Sequence, residues 1–199
     1  MESLSIRLDS WIIQDGNYRD FSVGQEALFA LEFAPQSKIE LSQSREKACV
    51  PSEIDEYRVV AEVLYRSENA WVIDFGLMAY EEVENPSYEV GDWLEGTLNL
   101  GVDPFFYSAY LKDERGFPWI KYKFRIDEIL LNTTPWIDNG RMRYRDESRI
   151  SFRSVAKTDA WNDDGGAGGY ILKCTTLGQP VPPERKRVRG LLSRLLKLS

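Results

Sequence analysis

The stretch IKYKFRID, residues 120–127, alternates without a break: Ile120, Tyr122, Phe124 and Ile126 are apolar, and Lys121, Lys123, Arg125 and Asp127 are charged. A period of two puts the first set on one face of a pleated strand and the second on the other, one face in a core and one in water. The same period recurs on both sides of it. Leu4, Ile6 and Leu8 alternate with Ser5, Arg7 and Asp9, and Trp11-Ile12-Ile13 reads as a continuation of that strand. Ala27, Phe29, Leu31 and Phe33 form a second run, which Pro35 ends.

Tyr57, Val59, Ala61, Val63 and Tyr65 share a face, Ser67-Glu68-Asn69 turns the chain, and Trp71, Ile73 and Phe75 return, which predicts a hairpin. A further strand runs from Trp93 to Leu100, where Gly96 predicts a bulge or a close backbone approach. Asp103-Pro104 predicts a turn, or the start of a short helix running through Leu111. Asn139-Gly140 marks a tight turn before Arg141, Arg143 and Arg145, and Tyr170, Leu172 and Cys174 form a last strand. Residues 42–55 are weakly patterned and read as a loop, as does the glycine-rich stretch 162–169, which reads as flexible.

Seven to nine strands with few helices predict a mainly β fold, an antiparallel barrel or sandwich. The block from Glu26 to Leu131, with a helix before its last strand, fits an OB-like barrel. Residues 1–177 read as this domain, 178–183 as a proline-rich linker and 184–199 as a basic helical tail. In the tail, Val188, Leu191, Leu192 and Leu195 recur at helical spacing, with Arg187, Arg194 and Lys197 towards the other side. Its destinations are its own acidic body, another protein or a second copy, and an anionic membrane surface.

Charge is divided along the chain. The whole carries −7, residues 184–199 carry six cations against Glu184, a net +5, and residues 1–183 are left with −12. Such a body repels a phosphate backbone and attracts basic partners. Two acidic clusters, Glu53, Asp55, Glu56 and Glu81, Glu82, Glu84, read as solvated loops or as a protein-binding surface. Two basic strand faces, Lys121, Lys123, Arg125 and Arg141, Arg143, Arg145, read as internally paired or as a strip for single-stranded nucleic acid.

Histidine is absent, which removes Ser-His-Asp and Cys-His catalysis and histidine-ligated zinc. Cys49 and Cys174 lack the CxxC spacing of a metal or redox site. Asp74-Phe75-Gly76 spells the kinase metal-binding triplet without the rest of a kinase, and Asp163-Asp164-Gly165 fails the EF-hand spacing. Asn132-Thr133-Thr134 spells a glycosylation acceptor but reads as a loop. Carboxylates are plentiful, yet no two stand out as an acid–base pair.

No cofactor or metal is expected. The opening residues lack a secretory pattern and no apolar run is long enough to span a membrane, so the expected location is cytoplasmic with reduced thiols. The resulting expectation is a non-enzymatic acidic protein-binding module of the bacterial cytosol, in its most concrete form an immunity protein that neutralises a basic toxin domain. The alternative is an OB-like single-strand nucleic-acid binder.

Overall fold

In the computed structural model, which describes residues 3–138 and 140–182, thirteen strands and two short helices follow one another. They are β1 (Leu4–Asp9), α1 (Ser10–Gln14), β2 (Glu26–Pro35), β3 (Glu40–Leu41), β4 (Ala48–Pro51), β5 (Glu56–Arg66), β6 (Ala70–Asp74) and β7 (Met78–Glu82). After them come β8 (Trp93–Val102), α2 (Phe106–Ala109), β9 (Lys121–Asn132), β10 (Trp136–Asp138), β11 (Arg143–Arg145), β12 (Phe152–Val155) and β13 (Gly169–Thr176).

Eight strands close a ring in the order β1-β13-β9-β2-β7-β6-β5-β8 and back to β1. Six of the joints are antiparallel, but β1 meets β8 in parallel at Arg7 and Gly101, and β2 meets β7 in parallel at Glu32 and Tyr80. The barrel is therefore mixed, where alternation alone had predicted an antiparallel one. A direct ladder between Leu31–Pro35 of β2 and Leu98–Val102 of β8 also bridges the ring. It divides the ring into two five-strand circuits that share the β2–β8 pair. This connectivity does not confirm an OB-like barrel.

Most of the predicted inward faces are the observed ones, but Ile120 and Tyr65, expected on the same faces as Phe124 and Val63, pack in a second core instead. Leu8, Phe29, Phe33, Val63, Leu98, Phe124 and Leu172 are buried in one core, while Lys123 and Arg125 point out. On β9 the alternation breaks where Asp127 and Glu128 follow one another. The β13 register shifts there, so that Lys173 faces Glu128 and Cys174 faces Ile126. The bulge lets one strand bury both Ile126 and Ile129 and continue to Asn132.

A second, smaller core lies on the other face of β2, β6 and β7, where Ala30, Val72 and Tyr80 are covered by Tyr107, Leu111, Phe117 and Ile120. The segment from α2 to β9 is thus a cover over the barrel wall. It also explains why β6, Ala70–Trp71–Val72–Ile73, is buried on both faces.

Local readings changed in three places. Trp11-Ile12-Ile13 belongs to α1, a short helix that buries Ile12 and Ile13, not to an extended β1. The loop read over 42–55 contains β4, which pairs with β5. The glycine-rich loop, read as flexible, is tied down. The side-chain amide of Gln14 donates to the carbonyls of Ala160 (2.7 Å) and Gly166 (2.8 Å), and the Tyr170 hydroxyl donates to Asp163 (2.8 Å). The tail residues Val188, Leu191, Leu192 and Leu195 lie outside the described residues.

Gly96 is a close-approach glycine, as its place in β8 predicts. A Cβ there would lie 3.3 Å from Cα and Cγ1 of Ile39, which is itself buried. Gly96→Val is expected to lower stability by about 1–3 kcal/mol, measured by urea unfolding, because a side chain there makes the buried Ile39 shift. An unchanged midpoint would show that the β3 region moves aside freely.

Candidate functional site

The ring brings β1, the start of β5, the end of β9 and the start of β13 to one end of the barrel. A cleft of about 630 Å³ opens there. Its acids come from three segments: Asp9, the stretch with Glu53, Asp55 and Glu56, and Glu147. Its cations are Arg7 and Arg145, and Ile54 and Ile150 stand at its edge, 41% and 63% exposed.

Asp55 is the fixed member. It is buried, its carboxylate accepts from the guanidinium Nε of Arg7, and its own carbonyl accepts from the side-chain amide of Asn99 at 2.9 Å. Asp55 is thereby neutralised by Arg7. Arg145 is also committed. It donates to the carbonyl of Thr134 at 2.6 Å and to Asp164 at 2.5 Å, and its guanidinium lies 4.0 Å from the ring centroid of Trp136. The Trp136 indole N–H donates to the same Asp164 carboxylate at 2.8 Å. The glycine-rich loop therefore serves to present Asp164, whose backbone sits in the left-handed region. By contrast Asp9, Glu53, Glu56 and Glu147 have no side-chain hydrogen bond or ion pair among the described residues. Both cations of the cleft are thus spoken for, and four carboxylates are left facing solvent.

The two acidic clusters read from the sequence line different clefts. Glu53, Asp55 and Glu56 belong to the one just described. Glu82 and Glu84 flank another, beside Phe106 and Tyr110 of the cover segment, while Glu81 accepts from the Trp71 indole N–H at 2.6 Å. Burial pushes the Glu81 carboxyl above its ordinary range, although that hydrogen bond opposes the shift.

The two basic strand faces do not come together either, because β9 pairs with β2, β12 and β13, whereas β11 pairs only with β10. Lys123 pairs with Glu26, and Arg125 donates to Asp127 at 2.7 Å. Lys121 is partly buried with its ammonium 5.9 Å from the Phe105 ring centroid, and burial lowers its pKa. Arg143 lies over Trp136 at 5.2 Å, and Arg141 is exposed in the turn before β11.

Sequence reasoning missed a buried acid at Asp103. Asp103, wholly enclosed between β8 and α2, accepts from the Tyr80 hydroxyl at 2.7 Å and from the Tyr107 backbone N–H at 3.1 Å. Its carbonyl accepts from the Tyr18 hydroxyl at 2.9 Å. Desolvation raises the Asp103 carboxyl, and desolvation followed by the charge of Asp103 pushes Glu32 up to about 7. With 0% exposure, the Asp103 carboxyl meets no solute, so its role is to start α2 and fix Tyr80. Asp103-Pro104 reads as a turn or a helix start, and the turn is what forms, since α2 begins only at Phe106 with Phe105 as its N-cap; the burial of Asp103 was not legible.

The remaining motifs are structural. Asp74-Phe75-Gly76 is the turn between β6 and β7, in which the Gly76 N–H donates to Asp74 at 2.8 Å and Lys47 holds the same carboxylate at 2.6 Å. Cys49 and Cys174 are free thiols, and burial pushes Cys49 up to about 12, far from a reactive thiolate. Among the described residues no group of three or more Cys, Asp and Glu is arranged to hold a metal ion, and no helix is long and apolar enough to cross a membrane. No protein-family model matches the sequence, and neither a curated protein nor a solved structure is similar to it.

Proposed function

We propose that the protein is a binding module that takes a basic segment of another protein into the acidic cleft at the end of its barrel. One observation carries the reading: Arg7 and Arg145 are engaged by Asp55 and Asp164, while Asp9, Glu53, Glu56 and Glu147 have no partner among the described residues. Unpaired carboxylates in a concave site focus a negative potential and draw lysine and arginine side chains. Ile54 and Ile150 supply apolar area at the edge, as interfaces between proteins require. Recognition, not catalysis, suits a cleft whose carboxylates face solvent and whose two arginines are neutralised.

In its most specific form the partner is a basic toxin domain and the chain an immunity protein, a form that rests on charge complementarity alone. The nucleic-acid reading has less support, since Lys123, Arg125 and Arg145 each hold a carboxylate and the two basic strands are not neighbours.

The test uses a fluorescein-labelled hexa-arginine peptide followed by anisotropy and by amide chemical shifts. Shifts are expected to concentrate at Asp9, Glu53, Glu56 and Glu147. The Glu53→Lys/Glu56→Lys double variant is expected to weaken binding by about tenfold or more, since like charges now face the peptide. Glu40→Lys/Glu46→Lys, which changes the net charge equally outside the cleft, is expected to cost much less. Equal losses in the two variants would reduce the reading to bulk charge and overturn it.

A further inference from the structure

We propose that the C-terminal segment 184–199 docks on its own barrel, in the groove between the end of β7 and the cover segment, where it shields exposed aromatic surface. This rests on residues other than those of the proposed binding cleft and stands or falls separately. The groove encloses about 560 Å³ and is lined by Phe106, Tyr110 and Val83 on its apolar side and by Glu82, Glu84 and Glu114 around them. Tyr110 is 66% exposed, and Phe105 and Trp119 are exposed beside the same cover. Glu82 and Glu84 have no partner among the described residues, and Glu114 accepts only from the Tyr65 hydroxyl at 2.7 Å.

The occupant follows from charge, from pattern and from where the chain ends. Segment 184–199 carries Arg185, Lys186, Arg187, Arg189, Arg194 and Lys197 together with Leu191, Leu192 and Leu195. It offers leucines to the rings and cations to the three carboxylates. After β13 the chain continues beside the start of β9. The Leu177 N–H donates to the Lys123 carbonyl at 2.8 Å and the Val181 N–H to the Lys121 carbonyl at 2.7 Å. Lys121 in turn sits over Phe105, the residue before Phe106 of the groove.

The described chain therefore ends on the side of the cover where Phe105 precedes Phe106 of this groove. The acidic cleft lies at the other end of β9, near Asn132, roughly 36 Å along the strand at about 3.3 Å per residue. The helix that the leucine spacing predicts over 184–199 is about 24 Å long. Its length suits the near site and falls short of the far one.

The test is zero-length carbodiimide cross-linking of the full chain at low micromolar concentration, read by peptide mass spectrometry on the monomer band. Links from Lys186 or Lys197 to Glu82, Glu84 or Glu114 are expected. Leu191→Gln/Leu195→Gln keeps every reacting group and is expected to reduce the yield about tenfold or more, because each buried leucine contributes about that factor. Glu82→Lys/Glu84→Lys, a change on exposed residues, is expected to speed tryptic cleavage within 185–197 roughly fivefold. Links to Glu53, Asp55 or Glu56, links confined to a dimer band, a yield indifferent to the leucines, or no links at all would each overturn the proposal.

Discussion

Phe124→Ala lowers the stability of the protein by about 3–5 kcal/mol, the range of a large buried aromatic cut back to a methyl group. In a chain of this size that is a fall of about 10 °C or more in the thermal midpoint. Phe124 is wholly buried and stacked on Phe29, with ring centroids 4.5 Å apart and planes 21° apart, and Tyr122 packs against it at 6.0 Å. Its position makes the loss hard to relax. The backbone of Phe124 faces Ala27 of β2 on one side and Thr176 of β13 on the other, at a joint of the ring. Strands held from both sides cannot collapse onto the space a ring leaves, so the cavity term adds to the lost transfer energy. Phe124→Leu fills most of that space and is expected to cost about 1–1.5 kcal/mol. A loss below about 1 kcal/mol for the alanine variant would mean that the two rings do not share one core.

The Phe124 core was legible because its signal is local. A period of two over Tyr122–Ile126 states which face is buried, and the same holds for Tyr57–Val63 and Ala27–Phe33, whereas Ile120 and Tyr65 at the ends of these runs join the second core. The neighbours of those strands were not legible. The parallel joints Arg7–Gly101 and Glu32–Tyr80 link residues far apart in the chain, and no local pattern tells a parallel edge from an antiparallel one. Trp11-Ile12-Ile13 is too short an apolar run for periodicity to choose helix or strand, and the helix won because Ser10 and Ile12–Ile13 pack inward after β1 ends. The acidic cleft was half legible. Glu53, Asp55 and Glu56 stood out as a cluster, but Asp9 and Glu147 join them only once β1 and the turn after β11 reach the same barrel end. The partners of Arg7 and Arg145 were not legible in the sequence; only the fold gives Arg7 to Asp55 and Arg145 to Asp164.

Glu32→Gln is expected to flatten the fall in stability between pH 5 and pH 8. Glu32 lies in β2 at the level where β7, β2, β8 and β1 run side by side, and it is partly buried. Desolvation is the first cause of its raised pKa; the charges of Asp103, Glu82 and Glu81 follow. The folded-state value of about 7 stands above an ordinary 4.5. Below pH 4.5 folded and unfolded chains both hold the proton, and the group exacts no penalty. As pH rises towards 7 the unfolded chain releases its proton while the folded chain retains it, so stability falls. Above pH 7 both forms are ionised and the loss is complete, roughly 3 kcal/mol for a shift of this size. Glutamine keeps the shape and never ionises. The variant should therefore match the native chain near pH 4.5 and exceed it by roughly that amount at pH 8, as read from urea unfolding at both pH values. Burial shifts the Asp103 carboxyl in the same direction. Parallel pH profiles for the two proteins would show that Glu32 ionises freely, and that the cover formed by α2 admits water to the wall beneath it.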